Sequence, residues 1–335
     1  MPKRPNSQPL ASIIIIDYKL NNPYLTECLN AIKQQTYSRY EIILLTDYPV
    51  KLTAQHLHKK SYGHYIGPAQ KRDDGAKLAK GEILAFIDDD AYPHPDWLLH
   101  LVKAFQNISV AAVGGPGINP PGVTWQEAAS GWASASPFGA GFYTYRFLQG
   151  KRQFVDDYPS MNLAVRRNAF LEIGGFDSHY WPGEDTKLCL DIVYKLHQKI
   201  LYEPQALVFH HRRPLWLPHL RQHGNFGLHR GFFARVLPQT SLRPIYLGPS
   251  LMTLGVTYLI TATLVPSLQI PHLYQSGLLL ANIYLIAVVC NSLWIWWRSS
   301  SMWQALISIP SVIVTHWWYG LKFIQGFLLT NKLKR

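Results

Sequence analysis

Acidic residues run out early in this 335-residue chain. Glu203 is the last; beyond it stand eleven Lys or Arg and no Asp or Glu, whereas the first 203 residues hold 21 basic against 20 acidic side chains. The net charge of +12 therefore sits almost wholly in the C-terminal part. Cysteine is scarce as well. Cys28, Cys189 and Cys290 lack the spacing of a zinc site or a redox pair, which excludes a disulfide scaffold and fits a reducing compartment. The apolar run at 12–16 is too short for a secretory leader and is closed by Asp17, so it reads as a first core strand. Neither an internal repeat nor a low-complexity tract is evident.

The basic C-terminal part is interleaved with long apolar stretches instead of being gathered in a polar domain. That pattern excludes nucleic acid as the partner and points to anionic lipid headgroups. Three stretches, roughly 246–266, 277–297 and 303–329, approach the roughly 20 apolar residues needed to cross a hydrocarbon core. The first two carry no charge. The third contains Pro310, His316 and Lys322, so whether it spans, bends back or lies in the interface stays open.

The first hundred residues alternate short β-rich runs with helical patterns. Strands are expected at Ile13–Ile16, Glu41–Leu45 and Ile83–Ile87, with helices over 22–35 and 69–80 between them. This βαβαβ order predicts an α/β fold with a mostly parallel sheet and ligands at the strand C-terminal ends. Each expected strand ends in acid: Asp17, Asp47, and the triplet Asp88, Asp89 and Asp90. Three adjacent carboxylates repel one another unless a cation joins them, and a hard ion such as Mg2+ or Mn2+ is commonly held by one or two carboxylates together with substrate phosphates. An ordinary helix cap at Asp90 or Asp96 would need only one of them. A metal–diphosphate site is therefore expected at this triplet.

From 114 to 150 the chain is rich in Gly, Pro, Ser and aromatics, and it reads as loop after a fourth strand at Val110–Val113. A further strand is expected near 161–165. Glu184 and Asp185 then follow a Pro–Gly turn and open a helical pattern over 186–198. Acids at a helix start can be plain caps. Paired with a metal–diphosphate site they suit a second task, deprotonation of an acceptor by a group separate from the one that binds the leaving group. Trp181 stands where a sugar could stack, with core packing as the alternative.

At this point the pattern resembles the family-2 glycosyltransferases, inverting enzymes of the GT-A fold, over about residues 10–235. The resemblance rests on Gln35-Thr36-Tyr37, Asp47, Arg72-Asp73-Asp74-Gly75, the Asp-x-Asp element Asp88 to Asp90, Gly174-Gly175-Phe176-Asp177, and Glu184-Asp185. It also takes in Arg221 to Gly231, similar to the Gln/Arg-rich element of membrane-bound relatives. The resemblance implies that Asp185 is the catalytic base, that Asp88 and Asp90 hold the metal, that Asp17, Asp47, Arg72, Asp88 and Asp89 bind the donor, and that Glu184, Trp181, Gln222 and Arg230 serve the acceptor or the diphosphate. Two departures, Ile16-Asp17-Tyr18-Lys19 after the first strand and Thr46-Asp47 after the second, fall around the nucleobase and leave the nucleotide open.

The expected organisation is a tail at 1–10, a GT-A (Rossmann-like) catalytic domain at 11–212, a basic amphipathic interface segment at 213–244, and a membrane part at 245–335. The expected protein is a multi-pass membrane enzyme with a cytoplasmic catalytic domain. It takes a nucleotide-sugar, a UDP-sugar first, and a divalent metal, and it transfers to a lipid-linked glycan or polyprenyl phosphate. A processive polysaccharide synthase and a non-catalytic scaffold or transport component are the alternatives.

Overall fold

The computed structural model describes residues 8–19, 22–53 and 55–333. Seven residues of the expected tail, 1–7, lie outside this range. The order of elements begins β1 (Ala11–Asp17), α1 (Pro23–Ile32), β2 (Tyr40–Thr46), β3 (Leu57–Ser61), α2 (Pro68–Leu78), β4 (Ile83–Asp88), β5 (Ala91–Pro93), α3 (Trp97–Ala104), β6 (Val110–Gly114) and β7 (Gly117–Ile118). It continues with α4 (Trp125–Ala135), α5 (Pro137–Ala140), β8 (Gln153–Val155), β9 (Asn162–Arg166), α6 (Arg167–Glu172), α7 (Glu184–Leu190), β10 (Lys199–Tyr202) and β11 (Val208–His210). Last come α8 (Leu217–Val236), α9 (Pro238–Ser241), α10 (Pro244–Leu264), α11 (Pro271–Ser299) and α12 (Met302–Leu329).

The chain divides into two compact units, one of residues 1–120, 148–211 and 333–335, the other of 121–147 and 212–332. In the first, eight strands form a sheet in the order β3-β2-β1-β4-β9-β6-β10-β8. The β3-β2-β1-β4 half is parallel throughout, and β9 runs antiparallel between β4 and β6. Strands β1, β2 and β4 are apolar on both faces because both faces are covered, as parallel sheets require. β3 was not foreseen: Leu57-His58-Lys59-Lys60-Ser61 is an edge strand with four of its five residues exposed, and lysines are how such edges are kept from pairing with other chains. The second sheet, β5-β11-β7, lies just past the acidic triplet and pairs His210 with Ala91.

Helix α2 is seated unusually close to the sheet. A Cβ at Gly75 would come within 2.7 Å of Ile14 and 3.0 Å of Leu45, so only glycine admits this approach. The consequence is functional, because it brings the preceding residues Lys71 and Arg72 to the strand tips.

In the second unit, the segment expected as loop at 114–150 contains a helix, α4. Its small and polar residues mask the apolar periodicity, yet a capping box opens it: Thr124 Oγ1 accepts from the Glu127 backbone N–H at 3.3 Å. Helix α8 sorts its faces by size more than by polarity. Gly224, Gly227 and Gly231 lie against α12, and a Cβ at Gly231 would stand 2.0 Å from the Phe323 carbonyl oxygen. Small residues allow such backbone approach between helices. Among the described residues, α10 and α11 are the two helices long and apolar enough to cross a membrane. Both keep large apolar side chains exposed, among them Leu251, Leu254 and Ile260 on α10 and Leu279, Leu280 and Ile286 on α11. The third expected stretch is one helix, α12, which runs through Pro310 without interruption.

Candidate active site

The first unit gathers the acids of β1, β2 and β4 at the C-terminal ends of its parallel strands and gives each its own partner. Asp17 accepts from Lys19 N at 3.1 Å and from Asn22 Nδ2 at 3.1 Å. Asp47 accepts from Ile66 N at 3.0 Å and pairs with Lys71 Nζ at 2.6 Å. Lys71 also donates to the Asp17 backbone carbonyl at 2.8 Å. This lysine is 2% exposed and its partner 1%, so the pair is a buried ion bridge spanning two strand tips.

The triplet splits three ways. Asp88, with 29% of its side chain exposed, meets Arg72 Nη2 at 2.9 Å. Asp89 turns inward and accepts from Asn22 Nδ2. Burial, with the neighbouring Asp90 and a hydrogen bond to Asp17, pushes its carboxyl up to about 8. Asp90 Oδ1 stands 3.2 Å from His210 Nε2 on β11, and its backbone carbonyl accepts from His211 N at 3.0 Å. The triplet is thus one partly open carboxylate, one internal brace and one carboxylate beside an imidazole.

Arg72 joins this acidic cluster to the second acidic site. Its Nη1 reaches Glu184 Oε1 at 2.8 Å while Nη2 holds Asp88, so one guanidinium fork bridges two carboxylates 96 positions apart in sequence. Burial works against the charge on Arg72, but Asp88 and Glu184 more than offset it. The Phe176 ring lies 5.5 Å from the guanidinium, and the Phe176 backbone N–H donates to Asp73 at 2.8 Å. Gly175, at φ +80°, leaves no room for a Cβ beside Asp73. The Gly-Gly-Phe-Asp element therefore acts as a brace for α2 and Arg72.

Asp185 follows Glu184 in the first turn of α7. Its carboxylate accepts from Thr186 N at 2.8 Å and Ser160 N at 3.3 Å, and part of its surface stays open. Burial, together with the like charges of Glu184 and Asp157, pushes its carboxyl up to about 6. A carboxylate so tuned is a stronger base than an ordinary aspartate and is still ionised at neutral pH. The expected helix over 186–198 starts earlier, at Glu184, and passes into a wider π turn over Asp191–Lys195. Trp181 lies half-buried in the loop before it, joined to Pro182 by a cis bond.

Gln222 and Arg230 are on α8, in the second unit, where Arg230 donates to Ser241 at 3.1 Å. Among the remaining expected residues, Asp17, Asp47, Arg72, Asp88, Asp89, Asp90, Glu184 and Asp185 are linked by contacts within the first unit. Lys71, Asn22, Asp157 and His210 were not foreseen as site residues, and Asp73 entered only as part of the Arg72-Asp73-Asp74-Gly75 motif. No third ligand at metal-binding spacing stands near His210 and His211 in the sequence; the carboxylate that meets His210, Asp90, is 120 positions away and β5–β11 pairing brings the two together. Among the described residues no three His, Cys, Asp or Glu side chains converge to form a complete metal site. The chemistry still fits a divalent cation: Asp90 and His210 offer oxygen and imidazole ligands side by side, the His210 Nδ1 is buried without a hydrogen-bond partner, and Asp88 is partly open.

Comparison with known proteins places the chain among glycosyltransferases. The chain is 23% identical over 228 residues to the glucosyl-dolichyl phosphate glucuronosyltransferase of Haloferax volcanii, covering 59% of this chain and 68% of that protein. It is 25% identical over 260 residues to the pre-mycofactocin glycosyltransferase of Mycobacterium tuberculosis, covering 76% of this chain and 53% of that one, so it spans about half the length of the mycobacterial relative. The mannosyltransferase PcManGT from Pyrobaculum calidifontis, solved in complex with GDP-Man and Mn2+, superposes with a TM-score of 0.60 at 17% identity over 92% of this chain and 88% of its own, which establishes a shared GT-A fold. Residues 12–174, which carry the strand tips, Arg72 and the acidic triplet, match Glycosyl transferase family 2, so the chain carries a domain of that family.

Proposed function

We propose that the protein is an inverting glycosyltransferase that moves a sugar from a nucleoside-diphosphate sugar, a UDP-sugar in the first instance, to a membrane-associated acceptor at the cytoplasmic face. The observation that carries this reading is the Arg72 fork, which ties Asp88 to Glu184 and so couples the donor end of the cleft to the helix that bears Asp185. Asp185 takes the proton from an acceptor hydroxyl, and the freed oxygen attacks the anomeric carbon from the side opposite the leaving nucleoside diphosphate. A bond to the acceptor oxygen forms, the anomeric carbon–phosphate oxygen bond breaks, and configuration inverts. Arg72 sits where it offsets negative charge developing on the diphosphate. Asp88, Asp90 and His210 are the residues that would hold a Mg2+ or Mn2+ ion, whose contribution is to neutralise the diphosphate.

A tuned base bears on the acceptor. The oxygen of a polyprenyl phosphate is already ionised at neutral pH and needs no deprotonation, whereas a sugar hydroxyl does. Asp185 therefore favours a lipid-linked glycan over polyprenyl phosphate itself. The exposed apolar faces of α10 and α11 support a membrane location with more than one span.

The test uses the full chain in detergent with UDP-, GDP- and dTDP-sugars, with and without Mg2+ or Mn2+, reading transfer to short-chain lipid-linked acceptors and the anomeric configuration of the product by NMR. Metal-dependent transfer with inversion is expected. Retention of configuration, or full activity in excess chelator, would overturn the corresponding half of the reading.

A further inference from the structure

A base must be aimed as well as ionised, and the aim of Asp185 comes from the segment before β9. Each of its carboxylate oxygens accepts from one main-chain N–H: Oδ1 from Thr186 at 2.8 Å, on its own helix, and Oδ2 from Ser160 at 3.3 Å, on that neighbouring segment. The second donor stays in place only while residues 157–160 stay against α7. Asp157 clasps them there, its Oδ1 accepting from Thr186 Oγ1 at 3.1 Å, and the Tyr158 N–H donates to the Cys189 sulfur at 3.3 Å. Asp157, Tyr158, Thr186 and Cys189 are all buried.

The same segment is fixed to the sheet. The Tyr158 hydroxyl donates to the Gly115 carbonyl at 2.7 Å, and a Cβ at Gly114 of β6 would collide with the Tyr158 ring, so the ring packs directly on the strand. Pro159 follows, which fixes one backbone angle of its own and restricts the residue before it. A strut therefore runs from β6 through Tyr158 to the first turn of α7. Asp157 also carries charge. The charged groups facing Asp185 are Glu184 from its own helix, Asp157 from the strut and Arg72 from α2; the first two oppose its ionisation and the third favours it.

We propose that Asp157 is a positioning residue for the transfer reaction: through Thr186 it clasps the strut to α7 and so aims the Asp185 carboxylate at the acceptor hydroxyl. The inference rests on the reading of Asp185 as the base given above. Its charge adds to the effect, because a carboxylate beside another carboxylate holds a proton more tightly and is the stronger base. Asp157 is buried and acts through Thr186 and Asp185, not on the substrate.

Two substitutions separate the clasp from the charge. Thr186→Val removes the hydroxyl and keeps both carboxylates, whereas Asp157→Asn keeps an oxygen acceptor for Thr186 and removes the charge. Each is measured in the full chain in detergent, as kcat and KM for transfer from a nucleotide-sugar to a short-chain lipid-linked acceptor, across the pH range on either side of about 6. In Thr186→Val, kcat should fall about tenfold with KM within about twofold, and the rise of kcat/KM should stay where the parent has it. In Asp157→Asn the rise should move toward acid by about one pH unit, and the plateau should drop about three- to tenfold because the base is weaker. Asp157→Ser, equally neutral, gives the same acid shift where the asparagine variant fails to fold. A rise that stays at the parent's pH in the Asp157 variants, an equal acid shift in Thr186→Val, or a kcat within about twofold of the parent in Thr186→Val overturns the proposal. Full transfer by Asp185→Asn instead overturns the base reading itself, so the two failures are told apart.

Discussion

The two units face opposite electrostatic problems and solve them by different means. The first crowds acids onto neighbouring strand tips and answers them with cations from one short stretch of α2: Lys71 for Asp47, Arg72 for Asp88 and Glu184. The second carries arginines with a single acid in its sequence and lays them on aromatic rings, as with Arg230 on Tyr246 and Arg298 on Trp294 and Trp297. In a buried ion pair each partner depends on the other. A guanidinium on a ring is held more weakly, by the face of the ring instead of a full opposite charge. The lesson is that charge in the first unit is held by opposite charge, while charge in the second is held by aromatic rings and neutral oxygen acceptors.

This contrast can be broken or sharpened by substitution, the largest effect coming first. Asp185→Asn should lower kcat by roughly a hundredfold to ten-thousandfold, the range for loss of a general base. It should at the same time raise the melting temperature. The folded-state carboxyl, at about 6, is above the value of an ordinary aspartate, so its ionisation opposes folding, and stability falls as pH rises through that window. The amide removes this cost. For the unaltered enzyme, kcat/KM should climb with pH through about 6 and then level off, because the base works only when ionised. A variant that keeps its rate would move the base elsewhere.

Lys71→Met comes next, because it strands the buried carboxylate of Asp47. Loss of one partner of such a pair costs about 3–5 kcal/mol. Adding Asp47→Asn should recover much of that loss in urea denaturation. Arg298→Gln in the second unit, where a ring replaces the carboxylate, should cost below about 1 kcal/mol. Similar losses for the two single variants would erase the distinction between the units.

Arg72→Lys tests the fork itself. An ammonium keeps the charge but cannot bridge Asp88 and Glu184 with two directed donors, so a fall in kcat/KM of about 10- to 100-fold is expected, with little loss of stability. A rate within twofold of the parent would show that charge alone suffices. Asp89→Asn should matter least. Its carboxyl is internal and pushed up to about 8, and an amide both accepts from Asn22 and donates to Asp17, so transfer should stay within about threefold of the parent. A much larger drop, measured beside Asp90→Asn, would place Asp89 in donor binding.

How much was legible differs by element. Strands β1, β2 and β4 read clearly from the sequence because a continuous apolar run that stops at an acid fits a buried strand and little else, and all three expectations fall inside the observed strands. The edge strand β3 and the short β10 and β11 were missed, since polar or three- to four-residue strands carry no periodic signal. Helix α4 was missed although its capping box was there to be read. Of the site, the acids could be found because clustered like charges demand a cation. Lys71 could not: a lysine in a sequence reads as a solvated surface residue, and only the close seating of Gly75 takes this one inside.

The sequence by itself determined the class of fold, the acids that line the cleft and the placing of basic charge beyond Glu203, because these follow from local pattern and composition. Tertiary structure alone decided which cation answers which acid, that Asp88, Asp89 and Asp90 point to three different partners, and that Asp90 meets His210. The reason is physical. Side-chain partners in a buried, low-dielectric cleft are set by the packing of helix on sheet to within an ångström, and residues 67 to 120 positions apart carry no local sign of that packing.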